Sequence, residues 1–214
     1  MEVDCPSVQS RREARRASRR DAILDCARQS FLEHGYAATT MSGIAAGLGG
    51  SKGTLWNYYA SKELLFEAVL DRATQDFRDT LTVILRHTDD ARSALHQFCQ
   101  QFLAKLTQPD AVALFRLVVA EAGRFPELGE RFFELGPCRN RSVLAHYIEG
   151  AMERGLMRRG DALSAALDLT GLCMSGCHLK MLVSASTAPD KHELEADAAR
   201  AIDTFWRAWG PVNA

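Results

Sequence analysis

The sequence predicts an all-α fold, and three observations carry that prediction. Apolar residues recur with a period near 3.6 through everything after Arg19, strand-like alternation is absent, and the apolar runs open on Ser, Thr, Asp or Pro and close near Gly. A chain of 214 residues is long enough to bury a core without disulfide staples. With 47% hydrophobic residues, 25% charged residues and a net charge of −1, the composition is that of an ordinary soluble globular protein and names no partner. The start "MEVDCPSVQS" has neither a basic nor an apolar signal region, and the most apolar stretch, residues 162–183, is interrupted by Asp168, His178 and Lys180. A cytoplasmic location away from membranes is expected, with the six cysteines as reduced thiols.

The elements follow in order. Ala22, Ile23, Cys26, Ala27, Phe31 and Leu32 form a helical stripe that ends at Gly35, a residue suited to a helix C-terminus. Thr40 caps a short helix from Met41 to about Gly47, and "GLGG" supplies a break. Ser51 caps the next helix, with Leu55 and Tyr59 on its inner side, and Ser61 caps a longer one through Leu64, Leu65, Phe66, Val69, Leu70, Phe77, Leu81 and Leu85. Two short helices joined by a glycine turn and braced by a longer one make a helix-turn-helix. In it Ala45 is small where the helices cross, Gly49 takes the turn, and Ile44, Leu48 and Leu55 build a miniature core. Farther on, Asp90 caps residues 91–106, Pro109 or Asp110 opens a helix to Arg124, and Pro126 opens a short one that Gly136-Pro137 closes after Leu135. Residues 140–154 form a further helix, Asp161 caps one to about Ser184, and the last runs from near Pro189 to near Trp209. Nine or ten helices result.

The stretch "SKGTLWNYYASKELLF" is crowded with exposed planar and polar groups. With Leu55 and Tyr59 inward, Lys52, Gly53, Thr54, Trp56, Asn57 and Tyr58 are left outside. Lys52 can neutralise a phosphate, Gly53 lets the helix approach a duplex, and Thr54 and Asn57 can meet base edges or phosphate oxygens. Lys62 stands with Ser61 at another helix N-terminus, where free amides, the helix dipole and an ammonium all favour an anion. The run from Gly35 to Phe66, "TTMSGIAAGLGGSKGTLWNYYASKELLF" at its heart, resembles the DNA-binding domain of the tetracycline-repressor (TetR) family of transcriptional regulators. Gly50, Trp56, Tyr59 and Ala60 depart from that family's usual Val, Tyr, Phe and Pro. The resemblance implies DNA-contact roles for Thr40, Ser42, Ser51, Lys52, Gly53, Thr54, Trp56, Asn57, Tyr58 and Lys62. It also implies a three-part chain: a basic arm at 1–18, the helix-turn-helix domain at 19–65, and an effector-binding and dimerisation domain at 66–214. "FRLVVAEAGRFPELGERFFELGP" resembles the effector domain of a subgroup that includes efflux-system regulators.

The implied function is a homodimeric, ligand-responsive repressor, without enzymatic activity or cofactor, released from a palindromic double-stranded DNA operator by a small molecule. Leu194, Ala198, Ile202, Phe205 and Trp209 form a bundle stripe, and Gly171 and Ser175, with Ala165 and Gly176, allow close approach on the preceding helix, so these are expected at the dimer interface. The alternative is that both stripes bury within one subunit. Expected pocket residues are Phe77, Leu81, Phe98, Phe102, Phe115, Val118, Val119, Phe132 and Tyr147, with Glu121 either holding a cationic ligand or pairing with Arg124. Cys173 and Cys177, one turn apart, suggest a thiol or metal sensor, or small hydrophobes. A Cys/His enzyme built on Cys173, Cys177 and His178, or on His96 and Cys99, lacks an orienting third residue and a Gly-rich oxyanion loop. Finally, Arg11, Arg12, Arg15, Arg16, Arg19 and Arg20 make a basic stripe that either solvates the chain or grips DNA.

Overall fold

The computed structural model describes residues 8–49, 52–85, 90–184 and 186–211, and among them every regular element is helical. Eleven α-helical segments follow one another: α1 Val8–Ala38, α2 Met41–Gly47, α3 Lys52–Tyr58, α4 Lys62–Ile84, α5 Ala91–Leu106, α6 Pro109–Glu121, α7 Pro126–Phe133, α8 Arg139–Glu153, α9 Ala162–Met174, α10 Cys177–Leu182 and α11 Lys191–Trp209. The caps are those the sequence signals. Thr40 accepts from Gly43 N, Ser61 from Leu64 N, Asp90 from Arg92 N and Ser93 N, and Asp161 from Ser164 N. α11 opens with a reciprocal Asp190/Glu193 capping box. The positive φ of Gly35 (79°) breaks α1 near its end, and Gly49 (61°) turns the chain between α2 and α3.

Two apolar cores are strung along α4. The first gathers Ile23, Leu24, Ala27, Phe31, Tyr36, Ile44, Ala45, Leu55, Tyr59 and the α4 residues Leu65, Phe66, Val69 and Leu70, and it also takes in Leu114, Val118 and Leu128 from α6 and α7. Phe66 meets Phe31 and Tyr36 edge-on at 5.1 and 5.2 Å, and Phe125, ahead of α7, closes on Tyr36 at 5.2 Å. Such pairs add about 0.5–1.5 kcal/mol each beyond area burial. The helix-turn-helix head is therefore packed through shared side chains onto the body. The second core begins at Phe77, Leu81 and Leu85 of α4 and is completed by α5, α8, α9 and α11. Leu64, expected on the apolar stripe of α4, is exposed instead.

Three further expectations are corrected. Gly136-Pro137 does not close a helix. It sits inside a π-helical turn, Glu134–Cys138, that carries the chain from α7 straight into α8. Proline lacks the N–H that an α-helical ladder needs, and the widened turn absorbs the loss. The Leu135 carbonyl accepts from Arg78 Nη1 at 2.9 Å and Thr74 Oγ1 at 3.3 Å. Second, the helix expected from Asp161 to about Ser184 is split into α9 and α10. Gly176 adopts φ −101° and ψ −125°, and the Asp197 carboxylate of α11 enters the break to accept from Cys177 N at 2.6 Å. A Cβ at Gly176 would stand 2.0 Å from Asp197 Oδ2, so only glycine admits that carboxylate.

Third, the stripe of α11 turns inward. Ala198, Ile202 and Phe205 are buried against the same chain, Leu194 is packed on that core, and Trp209 donates through Nε1 to Asp168 at 2.9 Å. The face expected to meet a second copy is taken up by α5 and α9 of its own subunit. Gly171 and Ser175 do remain exposed on α9. The described part of the basic arm is likewise an extension of α1 from Val8 onward.

Candidate nucleic-acid interface

Packing of α2 against α3 and of both against α1 fixes which side chains of the head face outward. Ile44, Ala45 and Leu55 are fully buried at the crossing, with Leu48 half-buried beside them, and Tyr59 closes the far end of α3. On α3 this leaves Gly53, Trp56 and Asn57 exposed, and Tyr58 and Thr54 half-buried. Ser42 is exposed in the first turn of α2, and Thr40 is exposed with its Oγ1 accepting from Gly43 N at 3.1 Å. Ser51 and the side chain of Lys52 lie outside the described residues. The α3 surface thus offers a planar ring, an amide and a glycine where backbone can come close, a set matched to groove edges and sugar-phosphate.

Lys62 does not project as expected. Its Nζ donates to the Tyr36 carbonyl at 2.8 Å and lies 4.2 Å from the centroid of the Tyr36 ring. The carbonyl and the ring face together hold the ammonium back against the end of α1. Tyr36 in turn donates to Glu63 Oε1 at 3.1 Å, and its hydroxyl pKa is raised, first by burial and then by the Glu63 charge. Backbone and side-chain hydrogen bonds at the α4 N-terminus hold the Glu63 carboxyl below the usual range.

Glu121 lies at the joint between head and body. Its Oε1 accepts from Ala37 N at 3.3 Å and would lie 3.1 Å from a Cβ on Gly35, while Asp110 at the other end of α6 pairs with Arg28. Glu121 is thus engaged with the end of α1, and Arg124, its expected partner, lies over the Phe125 ring. α6 holds the head through Leu114, Val118 and Glu121. Through Arg116 it grips the end of α10, where Nε donates to the Leu182 carbonyl at 3.0 Å and Nη2 to the Met181 carbonyl and to Ser184 Oγ.

The expected pocket residues divide into three groups. Phe77, Leu81, Phe98 and Phe102 pack on one another as plain core, with Phe98 and Phe102 stacked at 5.4 Å. Val118 belongs to the head's core and Val119 is exposed. Phe115 and Phe132 meet edge-on at 5.6 Å, and Phe115 meets the buried ring of His178 at 6.0 Å. Tyr147 half-buries on α8. Its hydroxyl, Asn140 Oδ1 one heptad earlier on that helix, and His178 Nδ1 are buried polar atoms without a hydrogen-bond partner. Burial lowers the His178 pKa, with the Met174 backbone acting in the opposite direction. The lowered pKa favours the unprotonated ring, and Nδ1 is a buried ring atom without a partner. A histidine in a largely apolar stretch is the available signal, but sequence alone does not say that it is buried with an unpartnered ring atom. Two open surface hollows lie elsewhere: one of about 820 Å³ between α8 and the α8–α9 turn, and one of about 510 Å³ beside Arg92, Arg158 and Arg207.

The cysteines pair differently from the sequence expectation. Cys99 on α5 and Cys173 on α9 are free buried thiols, and the interaction with Cys173, with burial, raises the Cys99 pKa. The Cys177 thiol is pushed up to about 12 by burial, with Asp197 adding to it. Raised thiol pKa values oppose nucleophile chemistry. His96 faces Glu195 at 3.4 Å and His178 faces Phe115, so neither histidine forms a dyad with a thiol. Among the described residues no group of three or more His, Cys, Asp or Glu is placed to hold a metal, and no helix is long and apolar enough to cross a membrane.

A helix-turn-helix head with a polar, aromatic outer face, carried on a helical body, defines a DNA-binding protein of the regulator type. Residues 23–69 match the bacterial regulatory proteins of the tetR family, and residues 93–211 match the C-terminal domain of AefR-like transcriptional repressors. The chain belongs to the TetR family. It is 43% identical over 58 residues to the transcriptional repressor ComR of Escherichia coli, a match spanning 27% of this chain and 28% of ComR. A TetR-family regulator from Mesorhizobium loti superposes with a TM-score of 0.80 at 29% identity, covering 91% of this chain and 98% of that one. The flavonoid-responsive regulator FrrA superposes with a TM-score of 0.76, also at 29% identity, covering 92% and 99%.

Proposed function

We propose that the chain is a homodimeric transcriptional repressor that binds a pseudo-palindromic operator through α3 and leaves it when a small molecule enters the body. The observation that carries this reading is the exposed Gly53, Trp56 and Asn57 surface on a head whose sequence matches the family's DNA-binding domain. Two such heads must reach successive major grooves about 34–36 Å apart, which a two-fold dimer provides.

The dimer face is assigned to the outer side of α9 and α10. Leu163, Leu167, Gly171, Ser175, Leu179 and Val183 recur every four residues and are all exposed. Rows of that spacing form the ridges that pack helices across one another, and Gly171, with open space beyond its Cα, gives the crossing point. The effector is a neutral molecule. The Phe115, Phe132 and His178 cluster carries no ionised group, and Asn140, Tyr147 and His178 each leave a buried polar atom for a hydroxyl or amide to satisfy. A hydroxylated aromatic compound meets those demands, in keeping with the flavonoid response named for FrrA.

Selection of bound duplexes from a genomic library tests the reading. Enriched sites with two half-sites of matching symmetry are expected, and addition of a flavonoid to the selected complex is expected to release the DNA. Absence of any enriched sequence overturns the repressor reading.

A further inference from the structure

Among the described side chains, the head's recognition surface carries little free positive charge of its own. Trp56, Asn57 and Gly53 are neutral, and the Lys62 ammonium is held on Tyr36. A duplex nevertheless presents a charged phosphate about every 1.7 Å of its axis, and those charges dominate affinity. Beyond Lys52, further cations for that backbone are found just upstream.

We propose that the first half of α1 is a second DNA-binding element, laid along the phosphate backbone that flanks the site read by α3; this rests on the DNA-binding reading above. Packing in α1 begins at Ile23, and residues 12–18 are all exposed. At the far end of the helix Arg28 and the Ala37 amide are tied to α6, so the N-terminal half points away from the body. It leaves the head beside the end of α3, where Arg20 Nε donates to Tyr59 Oη at 3.2 Å. From Arg20 back to Val8 an α-helix advances about 18 Å, enough to follow several phosphates.

The chemistry of this segment is one-sided. At about 100° per residue, Arg12, Arg15, Arg16 and Arg19 fall within an arc of roughly 100°, and Ala14, Ala17 and Ser18 lie away from it. Among the described residues none of these four guanidiniums has an ion-pair or hydrogen-bond partner. Their own helix repels them. Like charges stand three and four residues apart, and Glu13 is the one acidic residue among residues 8–20 to offset them. A polyanion relieves that repulsion. An anionic lipid surface also supplies charge, but a membrane-lying helix needs bulky apolar residues opposite its basic face, and alanine and serine do not provide them.

The test compares the full chain with the variant R12A/R15A/R16A/R19A. Alanine keeps helix propensity, Arg12, Arg15 and Arg16 are exposed and Arg19 only half-buried, so a nearly unchanged thermal midpoint is expected. On a long random-sequence duplex the slope of log K against log salt is expected to fall by roughly three to four units, at about 0.9 per lost phosphate contact. The fourfold Arg→Lys variant should restore most of the slope. Trimming the duplex to the two half-sites should weaken the wild type and leave the alanine variant unaffected. A slope unchanged by alanine, with DNA binding intact, overturns the proposal while leaving the α3 reading in place. So does a variant that loses binding to anionic phosphatidylglycerol vesicles but not to DNA. If the wild type binds no duplex at all, the DNA-binding reading itself fails and this element falls with it.

Discussion

The head and the body handle their polar groups in opposite ways. In the head the caps are satisfied by their own chain, as with Thr40 to Gly43 and Ser61 to Leu64, while the spare donors and acceptors of Trp56 and Asn57 stand in solvent. In the body the spare atoms, Asn140 Oδ1, Tyr147 Oη and His178 Nδ1, are buried. An exposed polar atom costs nothing while it waits for a partner, because water serves it. A buried one forfeits roughly 1–3 kcal/mol until something arrives. On the function proposed above, the head suits a large external partner and the body a small internal one whose binding would repair a standing deficit.

This contrast requires head and body to be mechanically continuous, and the largest expected effect tests that. Phe66 lies at the centre of the shared core, against Phe31 and Tyr36, with Leu114, Val118 and Leu128 of the body in the same cluster. Phe66→Ala should cost about 3–5 kcal/mol. Head and body signals should unfold in one transition in denaturant, for wild type and variant alike. Separate transitions, with only the head destabilised, would show two independent units and break the link through α6.

A middle-sized effect sharpens the head's side of the comparison. Asn57 is exposed and makes no described contact within the protein, so Asn57→Ala should leave stability within about 0.5 kcal/mol. On the selected operator it should cost about 1–3 kcal/mol, with random DNA nearly unaffected, as expected for a bidentate base contact. Equal loss on both duplexes would make Asn57 a phosphate ligand and pass sequence reading to Thr54 or Tyr58.

These two residues also mark how far the sequence was legible. The head could be read almost position by position, because a helix-turn-helix imposes local demands: a small Ala45 at the crossing, a positive φ at Gly49, a cap at Thr40. Each of those is decided within a few residues of chain. The body's errors all came from long-range partners. Gly136-Pro137 reads as a stop until Arg78 and Thr74, some sixty residues earlier, are seen holding the Leu135 carbonyl. Gly176 reads as a small packing residue until Asp197 is seen inside the break. The α11 stripe reads equally well as a subunit interface or a private core, and only the position of α5 and α9 decides it. Lys62 carried the right chemistry for phosphate, but no local rule places a tyrosine carbonyl and ring beneath its ammonium.

The smallest expected effect concerns the body and has a fixed sign. His178 is buried on α10, whose first free amide is capped by Asp197 and whose last carbonyls are held by Arg116, and burial depresses its folded pKa below the ordinary value of about 6.5. Between the folded pKa and about 6.5 the unfolded chain binds a proton that the native chain refuses. Stability must therefore rise with pH across that window. The contribution of neutral His178 is complete above about pH 6.5 and is lost as pH falls toward the folded pKa. His178→Phe removes the titration and keeps an edge for Phe115. The other five histidines are common to both proteins, so the difference between their unfolding free energies isolates His178. That difference should be level above about pH 7 and should move against the wild type below about pH 6.5. A neutral effector that donates a hydrogen bond to Nδ1 favours the unprotonated ring, so saturating ligand should extend the window to lower pH. A difference that stays level from about pH 5 to 7, with and without ligand, would mean that water reaches this ring freely. The contrast between an exposed polar surface on the head and a buried one in the body would then fail at the residue where it is most specific.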